Sequence, residues 1–135
     1  MNTFTTDEAI LPTRGGDWYD GGLWQGLFKH DWGTKNDLVK GSWDYLYRVV
    51  ALSNTSLDKL KEILENDPQN KVVPGYISEV RAFRAMYYYY LLDMFARVPL
   101  VTSSTMAMED VKQSERSAVF NFVWTELQES VTDLS

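Results

Sequence analysis

Four consecutive tyrosines at positions 87–90 lie in the middle of an apolar segment that spans residues 79–100. A helix makes one turn in 3.6 residues, so four successive side chains point in all directions around its axis. The run would therefore place aromatic rings on every side of a helix and leave no wide polar face for solvent. The sequence predicts a helix covered all round by other helices, which restricts the fold to one built by helix packing.

The same segment carries two arginines and ends at a proline. Arg81 and Arg84 fall among apolar residues and need acceptors there, because burying an unpaired charge is costly. We expect them to form an internal structural network with Glu79. The side chain of Asn54 is interpreted as forming a hydrogen bond to another helix. The helix should stop before Pro99, since the residue before a proline is disfavoured in the helical conformation.

A helix is predicted on the N-terminal side of the tyrosine helix. It begins after Asn36 or Asp37, either of which can cap its first amide groups, and ends near Glu65. Its apolar face follows steps of three and four residues and consists of Val39, Trp43, Leu46, Tyr47, Val50, Asn54, Leu57, Leu60 and Leu64. The tyrosine helix then starts at Pro74 and runs to about Phe95. The short link between the two predicts an antiparallel hairpin.

A third helix is predicted from about Ser117 to the end of the sequence, after an extended or irregular stretch at 98–105. Its predicted core face is the stripe Phe120, Trp124, Leu127, Val131 and Leu134. Successive helical hairpins that bury their faces on one another favour a right-handed, TPR-like packing. The predicted fold class is all-α, as one domain over residues 1–135 with an irregular segment at 1–36 and helices at 37–135.

The segment 1–36 is rich in glycine and tryptophan and lacks helical periodicity, apart from a short predicted turn near Leu23–Phe28. Flat aromatic faces can stack on the apolar faces of sugar rings, while carboxylates, amides and guanidinium groups bind the hydroxyls. The candidate ligand-binding residues are Arg14, Asp17, Trp18, Tyr19, Trp24, Trp32 and Asn36. The sequence leaves open that these aromatics only anchor a long loop, and burial of Trp18, Trp24 and Trp32 would indicate that.

Composition limits the partners of the chain. It has 135 residues, a net charge of −6 and no cysteine. Its scattered basic residues argue against nucleic acid or an anionic membrane surface, since both reward clustered positive charge. The sequence has no apolar run of about 18 residues that could form a transmembrane helix. Its first residues do not read as a signal peptide. If the protein is exported, its targeting segment is expected to lie outside these residues.

No catalytic residue, metal site or cofactor is predicted. His30 is the single histidine and has no nucleophile motif near it. The acidic residues of the N-terminal segment match no calcium loop and are interpreted as solvated; they are Asp7, Glu8, Asp17, Asp20 and Asp31. Paired carboxylates for glycoside hydrolysis depend on a spatial separation that a sequence does not give.

Three blocks in order along the chain resemble the SusD/RagB family. They are Trp43-x-x-Leu46-Tyr47 with Asn54-x-x-Leu57-x-x-Leu60; the segment 79–100 with its Arg-Ala pair, aromatic run and Val98-Pro99-Leu100; and Arg116-Ser117 followed by Phe120, Trp124, Leu127 and Leu134. The chain departs from the family pattern at Ala96, Glu126 and Ser130, where the family usually has glycine, aspartate and alanine. Because family members are several times longer, the chain is similar to an N-terminal portion.

The resemblance implies a function. Such proteins are lipid-anchored on the extracellular face of the outer membrane in Bacteroidetes, bind glycans or peptides, and cover a SusC-like TonB-dependent transporter. They are not enzymes, and loops around a TPR-like scaffold supply most ligand contacts. The anchoring cysteine is absent from these residues. The preferred interpretation is non-catalytic binding of an extracellular oligosaccharide, and the alternatives are a TPR-like protein-interaction scaffold and a glycan-cleaving enzyme.

Overall fold

The structure is a computed structural model that describes residues 2–6 and 8–133. Within this part the chain forms four α-helices: α1 (Leu23–Phe28), α2 (Asp37–Asn66), α3 (Val73–Phe95) and α4 (Arg116–Asp133). Short 3₁₀ turns occur at Asn2–Thr5, Asp20–Gly22 and Met108–Asp110. The all-α class is confirmed, and the predicted helix bounds agree to within one or two residues. Leu134, the last residue of the predicted stripe, lies outside the described residues.

The chain groups into two compact units, Met1–Tyr45 and Leu46–Ser135, which are described separately below. The prediction of one domain over the whole chain stays a prediction. Among the described residues, no helix is both long enough and apolar enough to cross a bilayer.

Asparagine side chains set the starts of α2 and α3. The Asn36 Oδ1 accepts hydrogen bonds from the backbone amides of Leu38 and Val39, at 3.0 and 3.1 Å. The Asn70 Oδ1 does the same for Val72 and Val73, at 3.1 Å each. Each cap satisfies amides that the first helical turn leaves unpaired. Asn36 is therefore the N-cap of α2, as predicted.

In the second unit, α3 and α4 pack against each other as an antiparallel pair, and the part of α2 from Leu46 onward contacts α3. Asn54 of α2 accepts a hydrogen bond from Arg84 of α3, and Tyr88 of α3 packs its ring on Phe122 of α4. The core side chains buried between the helices are Leu46, Val50, Leu57, Ala85, Tyr88, Leu91, Leu92, Val119 and Val123. The predicted apolar face of α2 is confirmed in this unit, and its polar member Asn54 is buried with it.

The segment that follows α3 is extended, and helix side chains satisfy its backbone. The Tyr47 hydroxyl donates to the carbonyl of Pro99 at 2.8 Å. Asn54 Nδ2 donates to the carbonyl of Val101 at 2.8 Å. One turn further along α2, Asp58 accepts from the amide of Ser104 at 2.8 Å. Backbone groups that are shielded from water need hydrogen-bond partners. Here side chains of α2 provide them, as the backbone of a neighbouring strand would in a sheet.

The prediction that α3 is covered on all sides is wrong. Tyr88 is fully buried, whereas Tyr89 and Tyr90 next to it are exposed. Phe83 and Met86 are exposed as well. The described chain supplies neighbours for only one side of the helix, which carries Arg84, Ala85, Tyr88, Leu91 and Leu92.

The predicted core face of α4 is also wrong. Phe120, Trp124, Leu127 and Val131 are all exposed in the described chain. The buried side is formed instead by Val119, Val123, Glu126 and Ser130. The helix begins at Arg116, one residue before the predicted start. The pattern in the sequence identified an apolar side of α4, but α3 packs against a different side.

Helix α3 ends in a strained turn at Ala96. This residue has φ +61° and ψ −65°, and the Arg97 amide donates to the Phe95 carbonyl at 2.7 Å. Those dihedrals and that bond define the γ-turn that is rare for L-residues. The glycine expected here from the SusD/RagB resemblance would adopt the turn without the steric cost that a Cβ brings.

We expect Ala96→Gly to raise the free energy of unfolding by about 1 kcal/mol, because relief of the strain outweighs the greater entropy of glycine in the unfolded chain. Urea unfolding followed by circular dichroism measures the change. Ala51→Gly is the matched control, since Ala51 is exposed in the middle of α2 and the same substitution there should cost about 1 kcal/mol. Equal losses at both positions would contradict strain at Ala96.

Candidate functional site

A tight turn in the first unit leads directly into the candidate aromatic residues. The backbones of Arg14 and Asp17 form an isolated antiparallel bridge, in which the Asp17 amide donates to the Arg14 carbonyl at 3.1 Å. Gly15 and Gly16 form the tip, and Gly15 has φ +64°. Arg14 and Asp17 are exposed at the base of this turn, and Trp18 follows immediately.

Trp18 and Trp24 belong to one group of side chains, here called the tryptophan cluster and made of Phe4, Trp18, Asp20 and Trp24. The rings of Trp18 and Trp24 meet edge to face, with centroids 6.3 Å apart. Phe4 packs on the Trp24 ring at 5.1 Å. The indole Nε1 of Trp24 donates to Asp20 Oδ2 at 2.7 Å. Trp24 is therefore fixed from two sides and in turn supports Trp18.

The Trp18 ring is presented to solvent. It is 59% exposed, and Tyr19 beside it is also exposed. The backbone around it is unusual, since Trp18 has φ +57° and Asp20 has φ +41°. Few residues other than glycine adopt this region, and those that do are found disproportionately at functional sites. Such an exposed, supported indole with Arg14 and Asp17 nearby in sequence can stack on a flat apolar face.

The remaining candidates lie elsewhere in the first unit. Trp32 is exposed, and its ring centroid lies 5.5 Å from that of the His30 ring. His30 Nε2 donates to the Thr5 carbonyl at 2.7 Å, so the ring ties the N-terminal 3₁₀ turn to the loop. The amide oxygen of Asn36 is used in the cap of α2. The structure thus groups Trp18 and Trp24 and gives Trp32 and Asn36 different neighbours.

Sequence reasoning did not assign Phe4 and Asp20 to this site. Asp20 was considered only as an acidic loop residue, although it lies four positions before Trp24. That spacing allows a side-chain contact wherever the chain turns helically, and it was the available signal. Phe4 is remote in sequence and gave none.

A second constellation, here called the arginine network, lies among the helices of the second unit and consists of Asn54, Arg81, Arg84, Glu126 and Glu129. Arg84 Nη2 donates to Glu126 Oε2 at 2.6 Å and Arg84 Nη1 to Asn54 Oδ1 at 2.7 Å. Arg81 Nη2 donates to Glu126 Oε1 at 2.7 Å and also pairs with Glu129. The guanidinium of Arg84 additionally lies over the Phe122 ring, 5.4 Å from its centroid.

The prediction that Glu79 belongs to this network is wrong. Glu79 is exposed, and the carboxylate between the two arginines comes from Glu126 on α4. Residues two apart on a helix point about 200° away from each other, so Glu79 and Arg81 face different sides of α3. The available signal was Glu126 itself, which stands where the SusD/RagB pattern usually has aspartate. Asn54, Arg81 and Arg84 do meet in one hydrogen-bonded group, and their assignment to a structural role stays a prediction.

Glu126 is charged in the folded chain because its neighbours compensate for its burial. Burial raises the pKa of its carboxyl group, but the hydrogen bonds and charges of Arg81 and Arg84 outweigh that effect and the pKa is lowered below its usual value. A cavity of about 200 Å³ adjoins the network and is lined by Leu57, Lys61, Ile77, Arg81, Arg84 and Glu126. The charged groups of the network bind one another, while the buried Arg84 Nε lacks a hydrogen-bond partner among the described residues, and a structural role for the network stays a prediction.

No group of three or more histidine, cysteine, aspartate or glutamate side chains within the described part of the chain is arranged to hold a metal ion. Asp7, one of the acidic loop residues considered above, lies outside the described residues.

Known proteins show similarity over most of the chain. A SusD-like family model, described as "Starch-binding associating with outer membrane", matches residues 3–132. A solved laminarin-binding SusD-like protein is 27% identical, with a TM-score of 0.73, over 85% of this chain and 24% of its own length. A SusD-like carbohydrate-binding protein from Bacteroides fragilis is 24% identical, with a TM-score of 0.69, over 79% of this chain and 21% of its own.

This chain therefore spans about a quarter or less of the length of those solved proteins. No curated protein sequence matches it.

Proposed function

This chain belongs to the SusD-like family, and from that premise we propose that it takes part in non-catalytic binding of an extracellular oligosaccharide. The observation that carries the proposal is the exposed Trp18 ring, which rests on Trp24 at the end of a polar turn. The anchoring-loop alternative requires buried rings, and the exposure of Trp18 does not favour it. One similar solved protein is named as binding laminarin, which is a glycan. Glycans are therefore the first class of ligand to test.

The proposal assigns separate roles to the residues of the first unit. Trp18 and Tyr19 contact the apolar face of a sugar ring, while Arg14 and Asp17 bind hydroxyl groups from the base of the turn. Trp24, Phe4 and Asp20 position Trp18 without needing to touch the ligand. Trp32 and Asn36 are secondary candidates, because the first packs on His30 and the second caps α2.

The wider setting is part of the same proposal. As a member of this family, the protein would act at the extracellular face of the outer membrane, held there by a lipid anchor outside these residues. It would pass its ligand to a SusC-like TonB-dependent transporter. The family description, which refers to starch binding and association with the outer membrane, supports this setting.

We expect Trp18→Ala to weaken glycan binding about tenfold, since a stacked aromatic ring contributes roughly 1.4 kcal/mol, which corresponds to a factor of ten in Kd. Isothermal titration of the full-length gene product against a panel that includes laminarin, starch fragments and short peptides measures the effect. Tyr76→Ala is the matched control, because Tyr76 is a similarly exposed ring on α3 and should leave Kd unchanged.

Three outcomes would contradict parts of this proposal. Binding to peptides and to no glycan would rule out a sugar as the ligand. Equal Kd values for the wild type and Trp18→Ala would remove the tryptophan cluster from the site. Release of shortened glycans during incubation would favour the enzymatic alternative.

A further inference from the structure

The cavity beside the arginine network, here called the network cavity, has a lining that is rich in positive charge. Its volume of about 200 Å³ is that of roughly six or seven water molecules in the liquid. Three of its lining side chains are cations and one is an anion, in a chain whose net charge is −6. The lining consists of Leu57, Lys61, Ile77, Arg81, Arg84 and Glu126. The cavity is therefore a local positive site in an acidic chain.

The one carboxylate of the lining is fully engaged by the two arginines. Glu126 Oε1 accepts from Arg81 Nε at 3.1 Å and from Arg81 Nη2 at 2.7 Å. Glu126 Oε2 accepts from Arg84 Nη2 at 2.6 Å. With Glu129, which also pairs with Arg81, two carboxylates stand against the three cations of the lining. One positive charge stays uncompensated.

Two of the cations keep donor groups without an acceptor. The buried Nε of Arg84 has no hydrogen-bond partner among the described residues. Lys61 is exposed and forms no ion pair within the part of the chain that the structure describes. The carboxylate one turn before it, Asp58, accepts instead from the hydroxyls of Ser103 and Ser104. An anion in the cavity would compensate both cations, with Lys61 as its direct donor.

The rest of the lining is aliphatic. Leu57 is 1% exposed, and Ile77 is partly buried. Alkyl groups that leave water for such surroundings gain free energy in proportion to the area they bury. Cationic donors beside an aliphatic wall match an organic acid, which has a carboxylate at one end and an alkyl chain at the other. An inorganic anion would use only the cations.

We propose that the network cavity binds a small monocarboxylate with a short alkyl chain, of about the size of butyrate. Its carboxylate pairs with Lys61 in the field of the two arginines, and its alkyl chain lies against Leu57 and Ile77. Butyrate has about as many non-hydrogen atoms as the cavity has room for water molecules. All the lining residues belong to the second unit, so the site uses no residue of the tryptophan cluster and does not depend on the proposed glycan role.

Saturation-transfer-difference NMR of the full-length gene product with sodium butyrate tests this proposal. The expected result is a saturable butyrate signal. Lys61→Gln should raise the Kd about tenfold, because a charge-assisted hydrogen bond is lost. Lys59→Gln is the matched control, since Lys59 is an exposed lysine on the same helix outside the cavity lining, and it should leave the Kd unchanged. Butyramide, which has the same shape and no charge, should give no saturable signal.

Four results would overturn the proposal. Absence of a saturable butyrate signal would show that the cavity takes up no organic acid. Equal Kd values for butyrate and butyramide would show that charge does not select the ligand. An unchanged Kd in Lys61→Gln would place the bound butyrate elsewhere. Inorganic phosphate that binds more tightly than butyrate in competition would show that the alkyl chain contributes nothing.

Discussion

Replacing Glu126 by alanine is expected to lower the free energy of unfolding by about 3–5 kcal/mol, the cost of leaving a buried charge unpaired. Glu126 is 7% exposed and Arg84 is 6% exposed, and the carboxylate is the anion that Arg84 contacts through its Nη2. A small domain is stable by only about 5–15 kcal/mol in total, so the loss is a large fraction of that stability. Urea unfolding followed by circular dichroism measures it.

Glu129→Ala is the matched control for this result. Glu129 also pairs with Arg81, but its side chain is 55% exposed, and exposed ion pairs contribute at most about 1 kcal/mol. Similar losses for the two variants would contradict the view that burial of the Arg84–Glu126 pair makes it important.

The pH dependence of stability gives an independent measure of the same pair. Because the folded pKa of Glu126 is lowered, its contribution is present above the unfolded value of about 4.3 and is lost as pH falls through the folded value. Unfolding curves of wild type and Glu126→Gln should therefore converge as the pH is lowered through this range. A constant difference between them at every acidic pH would show that the carboxylate charge is not what stabilises the fold.

Replacing Tyr88 by alanine should be the other severe change, costing about 3–5 kcal/mol as large-to-small substitutions of core aromatics do. Tyr88 is 0% exposed and packs edge to face on Phe122, with centroids 5.1 Å apart. Its hydroxyl accepts a hydrogen bond from the Val101 amide at 2.7 Å and donates to the Val101 carbonyl at 3.0 Å. Burial also raises the pKa of this hydroxyl to about 12. The side chain thus joins the core and the extended segment.

The neighbouring tyrosine provides the control within the same run. Tyr89 is 54% exposed, so Tyr89→Ala should change the free energy of unfolding by no more than about 0.5 kcal/mol. Tyr88→Phe separates the two roles of Tyr88, since it keeps the ring and removes only the hydroxyl, at an expected cost of about 1–3 kcal/mol. If Tyr89→Ala were as harmful as Tyr88→Ala, the tyrosine run would be buried more widely than the structure shows.

Helix positions were predictable because their signals are local. The step pattern of α2 and the capping residue Asn36 act within a few residues of one another, and the structure confirms both. Pro99 indicates the end of α3 to within a few residues, because it disfavours the helical conformation at Val98, whereas the helix itself ends at the turn around Ala96. Ala96 illustrates the limit of such reasoning, since its positive φ could be suspected only from the glycine that the SusD/RagB pattern has there.

Contacts between helices were less predictable, because an apolar row does not specify which neighbour covers it. On α4 the sequence indicated the row containing Trp124, but α3 packs on the row containing Val123. In the arginine network the expected partner was Glu79, close in sequence, and the observed partner is Glu126, which is 42 residues from Arg84. A pairing over that distance depends on how α3 and α4 align.

In the candidate site, the sequence indicated the residue types and the structure indicated their grouping. Trp18 and Trp24 were both candidates, and the structure places their rings in edge-to-face contact. The support of Trp24 by Asp20 follows a four-residue spacing that the sequence shows, whereas its contact with Phe4 joins residues 20 positions apart, which no short-range pattern describes. The ligand role of these residues stays a prediction until binding is measured.

The sequence by itself determined the all-α class, the extent of each helix and the presence of two arginines that need acceptors, because backbone propensity, capping and periodicity operate over one or two turns. Only the tertiary structure decided which tyrosine is buried, which carboxylate joins the arginines and which side of α4 stays uncovered. Those outcomes depend on the rotation and register of one helix against another, which are set by the summed packing of many distant side chains.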